Sequence, residues 1–411
     1  MTRLSTSVVV VSAGRPRELE RCLTALGQIY HPAAELIVVA DAQGREAVRR
    51  HPLADHIRLC ACDEPNISVA RNIGIAAAAG EIIAFIDDDS VPEPLWLWHL
   101  TAPFADGDVT AATGYVRGRN GIAFQSRAAE ALSDGTTRPI PLSGDAPVAL
   151  RARPGKGIKT EGTNMAFRRG ELAAMGGFDP AFRFYLDETD VNLRLAAAGK
   201  VTAIVPLAQV HHGKAASRLR RDDRTPRDLT QIGTSLAVFL RKHAAEARHE
   251  RIIAQERARQ RHRLLRAMRI GRIEPRDVTR LLAGFDTGIA QGRDQKILEF
   301  KAISSKHAPF SARPHAPFSP RVITGRLWAR RVHQRRSKQA LADGATPVCL
   351  YLFSRTAIWH RVRFHPDGYW EQRGGLFGRA GRNEPLWRFW RMKARVAHEV
   401  ESAAPQRGVT L

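Results

Sequence analysis

The hydrophobic pattern is most regular at the start of the chain. Residues 5–11, 36–40, 57–62 and 81–86 are short, apolar, β-branched runs of strand length. Between them lie segments with helical spacing: residues 17–26 carry Leu19, Cys22, Leu23 and Leu26 on one face, a helix begins near Arg45, and residues 66–76 form a small-residue helix. Continuous apolar runs suit strands buried on both faces. The order β-α-β-α-β-α-β therefore predicts an α/β fold, a Rossmann-like, mostly parallel sheet flanked by helices. Such sheets gather their ligands at the C-terminal ends of the strands.

The pattern then weakens. Residues 117–158 hold scattered Gly, Pro and Arg and read as a variable loop region that shapes a substrate site. Residues 190–198 place Val191, Leu195 and Ala198 on one helical face, ended by Gly199. Residues 201–205 read as a strand, with Val210, His211 and His212 in a loop after Pro206. Beyond residue 220 the expectation is a basic, mainly helical region with a β-hairpin. Residues 229–240 form a helix docked on the first domain, 246–269 an exposed helix and 278–290 a shorter one. Four prolines make 301–321 linker-like. Residues 348–353, 359–364 and 369–372 read as strands, the last two joined by a turn at 365–368. Residues 387–395 read as a final helix, basic and aromatic, lying on an anionic membrane or a polyanion, or else packed on the first domain. The boundaries read are 1–220 for the catalytic domain, 221–300 for the helical extension, 301–345 for the linker and 346–411 for the small C-terminal region.

Charge sharpens this division. Residues 1–214 hold 23 Lys and Arg against 24 Asp and Glu, whereas residues 215–411 hold 41 against 17 and so carry the whole net charge of +23. A basic half of this kind favours polyanions or anionic lipid. No nucleic-acid module is recognisable in it, so nucleic acid is not an expected partner. No apolar run approaches the 18 or so residues that span a bilayer, and the four cysteines show no metal-ligand spacing. The expected location is cytoplasmic, with peripheral contact at the inner face of a membrane left open.

Candidate chemistry begins at Asp87, Asp88 and Asp89, three adjacent carboxylates where a buried strand meets solvent. Crowded carboxylates raise one another's pKa unless a cation compensates them, and Mg²⁺ or Mn²⁺ would do so while holding a ligand's phosphates. A turn and helix cap is the alternative. A second cluster, Asp187, Glu188 and Asp190, sits in the first turn of a helix, where capping is again the alternative.

Together these segments resemble the nucleotide-sugar-binding half of the family 2 glycosyltransferases, which have the GT-A fold. The resemblance rests on a first strand ending in Ser12, a second ending in Asp41, the Asn66…Ala70-Arg71-Asn72-x-Gly74 helix, and Gly80-Glu81…Phe85-Ile86-Asp87-Asp88-Asp89. It implies that Asp87 and Asp89 hold the metal in a D-x-D arrangement, with His211 or His212 as a further ligand. It implies that Ser12, Arg15, Asp41, Arg71 and Asp88 lie on the donor side, Asp41 toward the base and Arg71 near the phosphates. Asp187-Glu188 matches the family's acidic catalytic pair with its identities reversed, which puts Glu188 in the position of the base and leaves Asp187 as the alternative. Thr163, Asn164 and Asp190 fall on the acceptor side. The implied activity is inverting, metal-dependent transfer of a sugar from a nucleoside diphosphate sugar to a glycan or other hydroxyl acceptor, in glycan or polysaccharide synthesis. The rival reading is a non-catalytic carbohydrate- or polyanion-binding protein on a transferase-like domain.

Overall fold

The computed structural model describes residues 4–304, 309–314 and 317–411. In chain order the elements are β1 (Thr6–Ser12), α1 (Pro16–Leu26), β2 (Ala34–Ala40), α2 (Ala42–Arg50), β3 (Ile57–Ala61), α3 (Ile67–Ala77), β4 (Ile82–Asp87), β5 (Ser90–Pro92), α4 (Trp96–Thr101), β6 (Val109–Arg117), β7 (Phe124–Ser126), β8 (Ala129–Leu132), β9 (Thr137–Pro139), β10 (Val148–Arg151), β11 (Lys156–Ile158), β12 (Met165–Arg168), α5 (Arg169–Ala174), α6 (Asp187–Ala197) and β13 (Val201–His212). There follow α7 (Thr230–His243), α8 (His249–Arg269), α9 (Pro275–Asp294), β14 (Arg321–Arg326), α10 (Arg330–Ala342), β15 (Val348–Ser354), β16 (Arg361–Phe364), β17 (Trp370–Gly375) and α11 (Met392–Arg407).

The main sheet runs β3-β2-β1-β4-β12-β6-β13-β10. Strands β3, β2, β1, β4, β6 and β13 point the same way, and β12 and β10 oppose them, so the expected mostly parallel sheet flanked by helices is present. Strand β1 shows why it forms. Val8 and Val10 pack on one face with Leu19, Leu23 and Trp96, while Val9 and Val11 pack on the other with Ala70, Ile75 and Val191. Both faces of the strand are covered, and each buried valine stabilises the fold by roughly 1.5–3 kcal/mol. That explains the unbroken apolar run where a half-exposed strand would alternate.

Three readings of the sequence are corrected. Residues 117–158 contain β7 to β11, short strands whose alternation is too brief to register. Strand β13 continues through Pro206 to His212, because the proline sits at an irregularity between Val205 and Gln209 where the ladder skips. The linker expected over 301–345 gives way at residue 321: β14 is the edge of a four-stranded sheet, β14-β15-β17-β16, and α10 packs against it.

Helices α7, α8 and α9 form a bundle around Phe239, Leu264, Leu281 and Phe285, which also takes in Phe182, Leu186 and Leu193 of the first domain. The expected hairpin is β16 and β17, paired antiparallel. The final helix starts at Met392, so Trp387, Arg388 and Trp390 lie ahead of it rather than on it. Its far end packs on the first domain. Arg407 makes two bonds to Glu93, at 2.7 and 2.9 Å, with both side chains buried, and Leu95 N donates to Gln406 O at 2.9 Å. No helix among the described residues is long and apolar enough to cross a membrane.

Candidate active site

The Asp87-Asp88-Asp89 turn follows β4 at the C-terminal edge of the parallel strands, and its three carboxylates meet different surroundings. Asp88 is fully buried, accepts from Ser12 Oγ at 2.7 Å and pairs with Arg15 Nη2 at 2.7 Å. Burial pushes its carboxyl up to about 8, against the pull of Arg15. Asp88 and Ser12 therefore brace the turn from within. Asp89 accepts from Ala215 N at 2.8 Å and from Arg15 Nη1 at 3.1 Å. Burial works against its charge, yet His212, Arg15 and the Ala215 amide together hold it well below the usual carboxylate range.

Strand β5 brings the histidine in. It pairs antiparallel with the end of β13 so that His212 stands opposite Ser90 and His211 opposite Val91. Successive side chains on a strand point to opposite faces, and the two histidines diverge. His212 Nε2 lies 3.2 Å from Asp89 Oδ1. His211 instead bonds Glu93 at 2.7 Å and rests against Trp370, in the contact with the C-terminal sheet. The alternative between His211 and His212 thus falls to His212 on geometry. Ligand atoms of Asp87, Asp89 and His212 lie within 4.8 Å of one another.

These three residues pass a test of fit to a divalent cation. Asp89 Oδ1 and His212 Nε2 are buried and lack any hydrogen-bond partner, although they face each other. Buried polar atoms are nearly always satisfied, so an orphaned oxygen and nitrogen at this distance suit a shared ion. Carboxylate with imidazole is a donor set that Mn²⁺ accepts more readily than Mg²⁺.

The second acidic cluster begins α6. Leu186, just before it, holds a left-handed backbone (φ 68°) that a branched side chain rarely adopts. Packing with Phe182 and Phe239 at the core of the helical bundle keeps it there, and the next residue, Asp187, is thereby aimed inward. Asp187 is buried and ion-paired with Arg71. Burial raises it to about 7, with Arg71 lowering and Glu188 raising it. Glu188 keeps a fifth of its side chain exposed and pairs with Lys159 at 3.1 Å. Burial disfavours its charge, but Lys159 and Arg71 outweigh that and depress its pKa.

Arg71 joins the two clusters. It is 2% exposed and reaches Asp187, Asp87 Oδ1 at 3.4 Å and Gly162 O at 3.0 Å, with its guanidinium over the Phe178 ring. A Cβ at residue 162 would stand 2.9 Å from Arg71 Nη2, so only glycine permits this approach. Arg71, expected near the phosphates, gives both terminal nitrogens to protein oxygens, while its buried Nε has no partner.

The residues expected on the acceptor side are engaged within the fold. Thr163 is buried against Ser90 at 2.5 Å, and Asn164 is buried while bonding Trp96, Tyr115 and Ala208. Asp190 is covered by α7, with Lys242 at 2.5 Å and His243 at 2.8 Å, and also pairs with Arg194 of its own helix at 2.8 Å. These residues hold elements together, since each was read without sight of its distant partner. Asp41 caps α2 through Gly44 N at 2.9 Å and also accepts from Gly14 N at 2.7 Å. Asp41 is thus the N-cap of a helix, while its carboxylate stays partly exposed.

Sequence reasoning missed a basic segment beside the aspartates. Arg220, Arg224 and Lys214 approach one another and Arg119, with Arg263 of α8 donating to Arg224 O at 2.7 Å. Burial and mutual repulsion lower Arg224 to about 10. Burial and Arg15 also lower Arg220, while Asp89 and Asp87 raise it. Lys214 and Arg224 both hold left-handed backbone, at φ 54° and 72°. Local arginine density in 218–227 was the available signal.

Comparison with known proteins fits this geometry. Residues 7–170, the segment that carries Asp87 and Asp89, match the family model described as glycosyl transferase family 2. Over 93 residues the chain is 30% identical to the glucosyl-dolichyl phosphate glucuronosyltransferase of Haloferax volcanii, a stretch covering 22% of this chain and 29% of that protein's length. Among solved structures it is similar to GalNAc-T7 with UDP, GalNAc and Mn²⁺ (TM-score 0.42, 16% identity, 51% of this chain and 44% of that one). It is also similar to the mannosyltransferase PcManGT of Pyrobaculum calidifontis with GDP-Man and Mn²⁺ (TM-score 0.43, 17% identity, 71% and 88%).

Proposed function

We propose that the protein is a metal-dependent, inverting glycosyltransferase that moves a sugar from a nucleoside diphosphate sugar to a hydroxyl acceptor. The observation that carries this reading is the Arg71 bridge: one guanidinium touches Asp87 of the first acidic cluster and Asp187 of the second, so both clusters border one site.

Asp87, Asp89 and His212 would hold Mn²⁺ or Mg²⁺, which neutralises a diphosphate leaving group as the glycosidic bond breaks. Arg15, partly exposed beside Asp89, and Arg220 supply further positive charge on the same side. Glu188 serves as base rather than Asp187. It is the more exposed of the two, and Lys159 keeps it ionised, whereas Asp187 is enclosed by Arg71. It accepts the acceptor hydroxyl's proton while that oxygen attacks the anomeric carbon opposite the leaving group, and a single displacement inverts the centre. Exposed Leu386, Trp387 and Phe389, set among Arg388 and Arg391, support peripheral contact with an anionic membrane.

The test is a panel of nucleotide sugars screened by thermal shift with and without Mn²⁺. One donor stabilises the wild-type protein only with the metal, Asp89→Ala loses that shift, and Glu188→Gln keeps it without turning over. Normal transfer by both variants rejects the assignment.

A further inference from the structure

Away from the acidic clusters, the C-terminal sheet carries a cleft of about 780 Å³ between the β14–α10 connection and the β15–β16 loop. Its lining includes Trp328, Trp359, Arg330, Arg331, Arg361 and Arg373, and no carboxylate. Trp328 is 88% exposed and Trp359 53%, although a tryptophan buries 150–250 Å² when a fold can use it. Arg379 lies over the Trp359 ring at 3.8 Å and fixes it in place. Arg330, Arg331 and Arg361 make no ion pair among the described residues, and next to the cleft Arg326 Nη1 is buried without a partner. Arg373 is already paired with Glu371 at 2.8 Å, but aromatic rings held open in a concave setting beside three arginines without carboxylate partners suit a ligand with flat apolar ring faces and regular negative charge.

We propose that this cleft is a non-catalytic binding site for an acidic glycan chain, which it would hold as acceptor for the site on the first domain. The choice of glycan over nucleic acid rests on the transferase reading, because the C-terminal sheet is fixed to that domain through Glu93, His211, Trp370 and Arg407. A flat bilayer would not enter a concavity.

The experiment titrates the protein with an oligogalacturonate, its neutral methyl ester and a single-stranded oligonucleotide of equal charge by isothermal titration calorimetry. The oligogalacturonate binds, its methyl ester binds at least roughly tenfold more weakly, and rising salt weakens the binding. Trp328→Ala/Trp359→Ala and Arg330→Glu/Arg331→Glu, all at exposed positions, each lose binding at least roughly tenfold with donor hydrolysis unchanged. Unaltered glycan affinity in both variants, or loss of oligonucleotide binding in place of glycan binding, overturns the proposal. Asp89→Ala separates the two readings: it abolishes transfer if the catalytic assignment holds, and it leaves oligogalacturonate binding intact whether or not that assignment holds.

Discussion

The two acidic clusters share Arg71 but are neutralised to different extents. In the second, each catalytic candidate has its own cation, Arg71 for Asp187 and Lys159 for Glu188. In the first, three carboxylates divide Arg15 and the edge of Arg71, and an oxygen of Asp89 and a nitrogen of His212 are left unbonded in a buried space. Polar atoms that all find partners hold a fold together, whereas buried polar atoms left without a hydrogen bond are poised for a ligand. The difference supports the proposal that an ion completes the first cluster.

The largest effect should come from breaking that incomplete cluster. Asp89→Ala should lower kcat/KM for transfer at least roughly a thousandfold, since metal stabilisation is worth several kcal/mol and each 1.4 kcal/mol is a factor of ten. Added Mn²⁺ should not restore it. A variant still stimulated by Mn²⁺ to wild-type rates would show that the ion binds elsewhere.

The completed cluster should respond through chemistry alone. Glu188→Gln keeps size and hydrogen bonding while removing the base, and kcat should fall roughly 10²- to 10⁴-fold with the metal-dependent thermal shift preserved. If Asp187→Asn were the more damaging of the two at equal stability, the roles would be exchanged.

Removing the shared residue tests the comparison itself. Arg71→Met strips the cation from buried Asp187 and from Asp87, and losing one partner of a buried pair costs about 3–5 kcal/mol. Chemical denaturation should show a loss of that size. A change below about 1 kcal/mol would mean the bridge behaves as an exposed ion pair does.

What was legible in the sequence follows the range of the interactions involved. The alternation from β1 to β4 and the strand-end position of Asp87 and Asp89 were readable because neighbouring residues encode them: apolar runs of strand length, helical spacing between, then carboxylates where the chain meets solvent. The hairpin of β16 and β17 was readable for the same reason, from its turn residues. His212 could not be told from His211, because what separates them is the pairing of β13 with β5, about 120 residues upstream. Pro206 suggested a break since the sequence cannot reveal that its missing donor falls where the ladder already skips. Asp190 read as an exposed first-turn carboxylate, and only α7, folding back with Lys242 and His243, closes it off.

The smallest effect separates the clusters by pH. Lys159 is the principal cation acting on Glu188 and holds it below the ordinary value of 4.5, so the wild-type acid limb of kcat/KM should lie below pH 4.5. Lys159→Met removes that pull and leaves burial, which raises the pKa, opposed only by Arg71 and the hydrogen bonds from the backbone and Asp187, so the pKa should rise. The acid limb should therefore move upward, with rates on the alkaline side of it little changed, because Glu188 stays ionised there. The Mn²⁺-dependent donor shift, which rests on Asp87, Asp89 and His212, should keep its wild-type pH dependence. An acid limb that stays in place while Glu188→Gln remains inactive would mean that the proton leaves through a group other than Glu188.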